Sequence, residues 1–158
     1  MESKDFLEKW ILGFLSESQK VLNDLPPCPF AKKSYLENKV KIIEVTDYIA
    51  EVTEHLNVWD DSYEVLIFVC PNNIDSISFV TDVELLNQTF MPKNFVLLED
   101  HKDIEERIEN VVFNNGKYNL ILAQRKDKLK EASDKLHKTK YYENWSKDYY
   151  DQVVSWRN

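Results

Sequence analysis

The chain has only two glycines in 158 residues, Gly13 and Gly116. Loops that cradle phosphate, and the dinucleotide-binding fingerprint, need several glycines at close spacing so that backbone amides can approach the anion. Neither can be built here. Cysteine is equally scarce, and Cys28 and Cys70 lie far apart. That gives no disulfide framework and points to a reducing, cytoplasmic setting. The three histidines, His55, His101 and His137, share no metal-ligand spacing, so no metal site is expected. No apolar run approaches the ~20 residues of a membrane helix. Residues 1–10 mix charges and lack the apolar stretch of a signal peptide. No motif names a cofactor, and no pattern fixes an oligomeric state.

Hydrophobic residues make up 43% of the chain and aromatics 13%, enough for a core in a soluble protein of this length without cross-links. No linker or repeat divides it, so residues 1–158 read as one domain. The net charge of −8 is unevenly spread. Residues 60–110 carry 12 acids and 3 bases, whereas residues 111–158 carry 6 acids and 10 bases. Such polarity can orient a charged partner.

Periodicity supplies the elements. Ser3 is placed to cap a first helix, whose stripe of Phe6, Leu7, Trp10, Ile11 and Phe14 continues through Val21, Leu22 and Leu25 to Pro26-Pro27. Residues 39–45 read as a strand. Thr46 or Asp47 opens a helix through Asn57. The near-continuous apolar run at residues 63–70 predicts a central strand covered on both faces. A helix over 75–90, a strand over 94–98 and a short helix over 102–109, through Ile104 and Ile108, follow. Asn115-Gly116 stands between two apolar runs and predicts a β-hairpin. Residues 125–138 form a charged helix with Glu131–Lys135 and Asp134–Lys138 at i,i+4 spacing. Tyr142, Trp145, Tyr149, Val153 and Trp156 then mark a docked C-terminal helix. The expected class is α/β or α+β, with helices packed on a mixed sheet of about five strands.

Three groups of residues could carry chemistry. Cys28 sits between prolines near Lys32, Lys33 and an expected helix start, and cations favour a thiolate; its alternative is a small buried hydrophobe. Cys70 ends the central strand, where open sheets collect ligands, or is simply core. Glu99, Asp100 and His101 close the third strand and offer a general acid–base or cation-binding set; the alternative is a polar strand end. His55 and His137 fall among charged helical neighbours and should face solvent. Basic and aromatic residues interleave over 125–156, but acids neutralise many of the lysines there, which disfavours nucleic acid as a partner.

Trp10, Leu25 and Cys28-Pro29-Phe30-Ala31 resemble an uncharacterised family of small bacterial proteins in which a Trp-bearing helix leads into a Leu-Cys-Pro-Phe-Ala signature. Here Pro26-Pro27 is inserted between leucine and cysteine. Leu122-Ala123-Gln124, Tyr141-Tyr142 and Trp145 resemble small uncharacterised phage-encoded proteins. Neither resemblance implies an activity, though the first draws attention to Cys28. Two functions are therefore expected. The first is an interaction or accessory protein, viral in setting, that binds a protein partner through charged surfaces. The second is a thiol-dependent enzyme or redox protein using Cys28, with His101 or Glu99 as acid–base group.

Overall fold

In a computed structural model, which describes residues 1–157, the chain runs through six α-helices and six β-strands. Helix α1 spans Glu2–Leu12. It ends because Gly13 leaves helical geometry at φ −93°, ψ −96°, while its N–H still reaches Lys9 O at 2.8 Å. A Cβ at that position would stand 2.6 Å from the same oxygen. The apolar stripe therefore does not continue as one helix. It passes into two 3₁₀ turns, Phe14–Ser16 and Lys20–Leu22. Ser3 does not cap α1; its hydroxyl donates to Glu44 at 2.5 Å and ties the helix to the sheet.

Helix α2 (Ala31–Leu36), strand β1 (Val40–Glu44), α3 (Tyr48–Asn57), β2 (Val65–Cys70), α4 (Ser76–Phe90) and β3 (Phe95–Asp100) follow. Asp47 and Asp75 cap α3 and α4, accepting from the amides of Ala50 and Ser78. Beyond a loop come the short strands β4 (Arg107–Ile108) and β5 (Val111–Val112), then β6 (Asn119–Arg125), α5 (Lys126–His137) and α6 (Lys147–Val153).

The main sheet has the order β1-β2-β6-β3, with β1 parallel to β2 and β6 antiparallel to both neighbours. It is an α+β arrangement. Because side chains alternate across a strand, Leu66, Phe68 and Cys70 face Val52, Leu56, Phe79, Val83 and Phe90 of α3 and α4. Ile67 and Val69 face Leu7 and Ile11 of α1. Covering on both faces is why β2 reads as an unbroken apolar run. Among the described residues, no helix is long and apolar enough to cross a membrane.

The expected mixed sheet is present with four strands, and the remaining two form a separate ribbon. Three expectations need correction. The turn at Asn115-Gly116 exists, with Gly116 at φ +74°, but it does not join paired strands. Both edges of β6 are occupied by β2 and β3, so β5 pairs instead with β4, across Glu109 at φ +53°. Residues 102–109 form no helix: Ile104 N closes a turn on His101 O at 3.1 Å, and Arg107–Ile108 pair as a strand with Val111–Val112. The ion pairs of α5 are Lys130–Asp134 and Lys128–Glu131, on the exposed face. Such pairs contribute little to stability.

Two further features position the site. Asn87 of α4 donates to Leu97 O and accepts from Leu97 N, both at 2.9 Å, and so satisfies the outer edge of β3. A third apolar cluster joins distant parts of the chain: Val21 and Leu22, Ile108 of the ribbon, and Tyr141, Trp145 and Tyr149. Tyr141 donates to Pro27 O, Asn144 to Val21 O at 3.1 Å and Asn23 to Lys140 O at 2.7 Å. Within this region Val154 is buried and Trp156 is largely exposed.

Candidate functional site

Strand β3 carries Glu99 and Asp100 to its carboxyl end, where the loop to β4 folds back over them. His101 fixes that loop. It is 1% exposed, with Nε2 2.7 Å from Ile74 O and Nδ1 accepting from Asp103 N. The carbonyl partner sets the tautomer with the proton on Nε2. Both ring nitrogens are thus engaged by backbone, and the imidazole packs against Phe79.

The loop brings Glu106 beside the strand end. Three carboxyl groups then share one region. Glu99 Oε2 accepts from His101 N at 3.0 Å. Asp100 Oδ2 accepts from the backbone N and side-chain Nδ2 of Asn115, at 3.2 and 2.9 Å. Asp100 Oδ1 is buried and has no hydrogen-bond partner among the described residues. Glu106 Oε2 accepts from the Tyr149 hydroxyl, at 3.4 Å.

Burial is the main reason these groups ionise less readily than free carboxyls, since a low-dielectric setting disfavours the anion. It pushes Asp100 up to about 6, with the charge of Glu99 adding and the Asn115 bonds opposing. It pushes Glu106 up to about 8, reinforced by Asp100 and Glu99 and opposed by the Tyr149 bond. Glu99 is raised by burial too, against the pull of the His101 amide. The Tyr149 hydroxyl is raised by burial first and by Glu106 second.

Among the described residues, no lysine or arginine pairs with Glu99, Asp100 or Glu106. The cations of the loop are engaged at its surface: Lys102 with Asp103 at 3.2 Å and Arg107 with Glu105. Asp103, Glu105 and Glu109 are exposed and form an acidic rim. No group of His, Cys, Asp and Glu side chains among the described residues has the geometry to hold a metal ion.

Cys28 lies elsewhere. It is half-buried just before α2, its carbonyl accepting from Ala31 N at 3.1 Å. Burial raises its thiol above the ordinary value and outweighs the amides of Phe30 and Ala31, which act the other way. Its titrating neighbour is Tyr141, and no hydrogen bond joins it to His101 or Glu99. Lys32 and Lys33 are exposed. Cys70 belongs to the core, where burial raises it to about 12. His55 packs beside Phe68 and is partly buried. His137 is exposed, with Nε2 2.5 Å from the Tyr150 hydroxyl.

Iodoacetamide is therefore expected to alkylate Cys28 more slowly than free cysteine at neutral pH, with the rate climbing only in alkali. Cys70 is expected to stay unmodified until the protein unfolds. Faster reaction of Cys28 than of free thiol at pH 7 would mean a stabilised thiolate and would overturn this reading.

Glu106, Asn115 and Tyr149 were not candidates in the sequence. The available signal was acid density, six acids within residues 99–109. Comparison of the chain with family models, curated proteins and solved structures finds no match. The fold and site define an α+β protein with a cluster of three carboxyl groups, closed by a polar loop and without an ion-paired lysine or arginine among the described residues.

Proposed function

We propose that this is an interaction protein that receives a basic partner on its acidic face, with a lysine or arginine side chain entering the cluster of Glu99, Asp100 and Glu106. The supporting observation is Asp100 Oδ1. Among the described residues it is buried, unpaired and next to two further carboxyl groups, with no lysine or arginine paired to them. Buried polar atoms are ordinarily bonded, and an entering ammonium or guanidinium would supply the missing donor and favour the ionised acids. The exposed rim of Asp103, Glu105 and Glu109 would steer such a partner at long range.

A short lysine-rich peptide serves as probe. Its binding is expected to shift the side-chain carboxyl resonances of Asp100 and Glu106, to weaken steeply with salt, and to fall about tenfold or more in Glu106→Gln, a loss of about 1.4 kcal/mol. Binding that ignores ionic strength, or that survives Glu106→Gln and Asp100→Asn unchanged, would remove the basis for this function.

A further inference from the structure

The two borders of the main sheet are treated differently. Asn87 occupies the outer backbone groups of Leu97 on β3, whereas the outer side of β1 meets no backbone group among the described residues. In a parallel pair, alternate residues turn their backbone toward the neighbour. Lys39 O accepts from Val65 N at 3.2 Å and Val45 N donates to Val69 O at 3.0 Å, so positions 39, 41, 43 and 45 face β2. Val40, Ile42 and Glu44 consequently direct their N–H and C=O groups outward. Proteins ordinarily cover or blunt such an edge, because it is a template for another strand.

Beside this edge lies a hollow of about 350 Å³ whose lining includes Val40, Ile42, Tyr35, Tyr63, Lys4 and Lys41. Its lining includes two lysines and no acidic residue, in a chain of net charge −8. Neither lysine forms an ion pair among the described residues. Lys41 lies over the Tyr63 ring, 5.6 Å from its centre, and its charge is felt at Asp60. Of the neighbouring acids, Glu44 accepts from Ser3, Glu8 from Tyr35, and Glu64 from Ser34 and Lys39, while Asp5 acts on Tyr35 through its charge alone.

We infer that the free edge of β1 is a strand-addition site for an extended, acidic peptide of a partner protein. Main-chain bonds to Val40, Ile42 and Glu44 would supply the ladder, and alternate side chains would enter the tyrosine-walled hollow. Carboxylates of the peptide would meet Lys4 and Lys41. A second copy of the chain fits less well, since pairing β1 with itself would bring two lysine-bearing hollows together. This site is separate from the acidic face and does not depend on its function.

The probe is a capped peptide of alternating glutamate and valine, with a lysine–valine peptide as control. Hydrogen exchange should slow at the amides of Val40, Ile42 and Glu44 and stay unchanged at Lys41 and Ile43, which already bond to β2. Affinity should fall about tenfold in Lys41→Glu, and the control peptide should not bind, because like charges would be juxtaposed. Ile42→Pro removes one outward N–H without touching the β2 ladder and should abolish binding. Should that variant misfold, the double change Lys4→Glu and Lys41→Glu carries the same test. No added protection at the three amides, or equal binding of the lysine–valine peptide, would overturn the proposal. So would a dimer in sedimentation that Ile42→Pro dissociates, which would assign the edge to a second copy.

Discussion

Glu106→Gln is expected to make the protein more stable in mild alkali while weakening its capture of cations. In the unfolded chain Glu106 and Asp100 lose their protons near 4.5 and 3.8; in the folded protein they keep them up to about 8 and about 6. Between about pH 4 and pH 8 the native state therefore binds more protons than the unfolded one, so stability falls as pH rises through that window. Above it the full penalty of a buried carboxylate is present. The rise at Glu106 corresponds to at most about 5 kcal/mol for the ionised form. Glutamine keeps an acceptor for Tyr149 and carries no charge, so a gain of roughly 2–4 kcal/mol is expected at pH 9 and almost none at pH 4. Urea unfolding of both proteins across this range measures it. A variant less stable than the parent at pH 9 would show that the carboxylate is already compensated. Gain of stability with loss of binding distinguishes a group retained for recognition from one retained for packing.

Asn87→Leu should be the most damaging single change on the helical side of the sheet. Asn87 is 6% exposed, and its amide completes both backbone groups of Leu97. Leucine would leave a buried N–H and a buried C=O without partners, at about 1–3 kcal/mol each. A loss of roughly 3–5 kcal/mol is a large part of the 5–15 kcal/mol typical of a domain. Asn87→Asp keeps the acceptor but sets a carboxylate against Leu97 O, and should destabilise as well. Urea midpoints and the exchange rate of the Leu97 amide report the effect, and a loss below about 1 kcal/mol would mean that water replaces the side chain. Two residues beyond Leu97 the same strand delivers Glu99 and Asp100, so loosening β3 should also disturb the carboxyl cluster.

The parts of this fold set by neighbouring residues were legible. Asp47 caps the helix expected after it, a helix follows Asp75 through Phe90, and the run ending at Cys70 is the doubly covered strand its composition implied. Errors arose where distant residues decide. Apolar periodicity runs past Gly13, but the backbone leaves helical geometry at that residue and continues as two 3₁₀ turns. Asn115-Gly116 has the chemistry of a tight turn, yet which strands pair depends on competition for the edges of β6. Ile104 and Ile108 are spaced for a helix, but Arg107–Ile108 pair with Val111–Val112 as a ribbon. That last misreading hid Glu106. Of the site, Glu99 and Asp100 were visible at a strand end, whereas Glu106 and Tyr149 reach them only through the loop and the third cluster. Cys28 stood out by its prolines and lysines, features that say nothing about enclosure by Tyr141.

The bonds that clamp Tyr141, Lys140 and Asn144 to Pro27, Asn23 and Val21 span 114, 117 and 123 positions of chain. On the ribosome, where folding begins before the chain is finished, every strand of the main sheet emerges before the segment that makes those bonds. Tyr149, which donates to Glu106, arrives later still. The nascent protein can thus complete its sheet while the acidic loop is uncovered and hydrated, and the carboxyl groups are desolvated only as the last aromatic side chains lock into place.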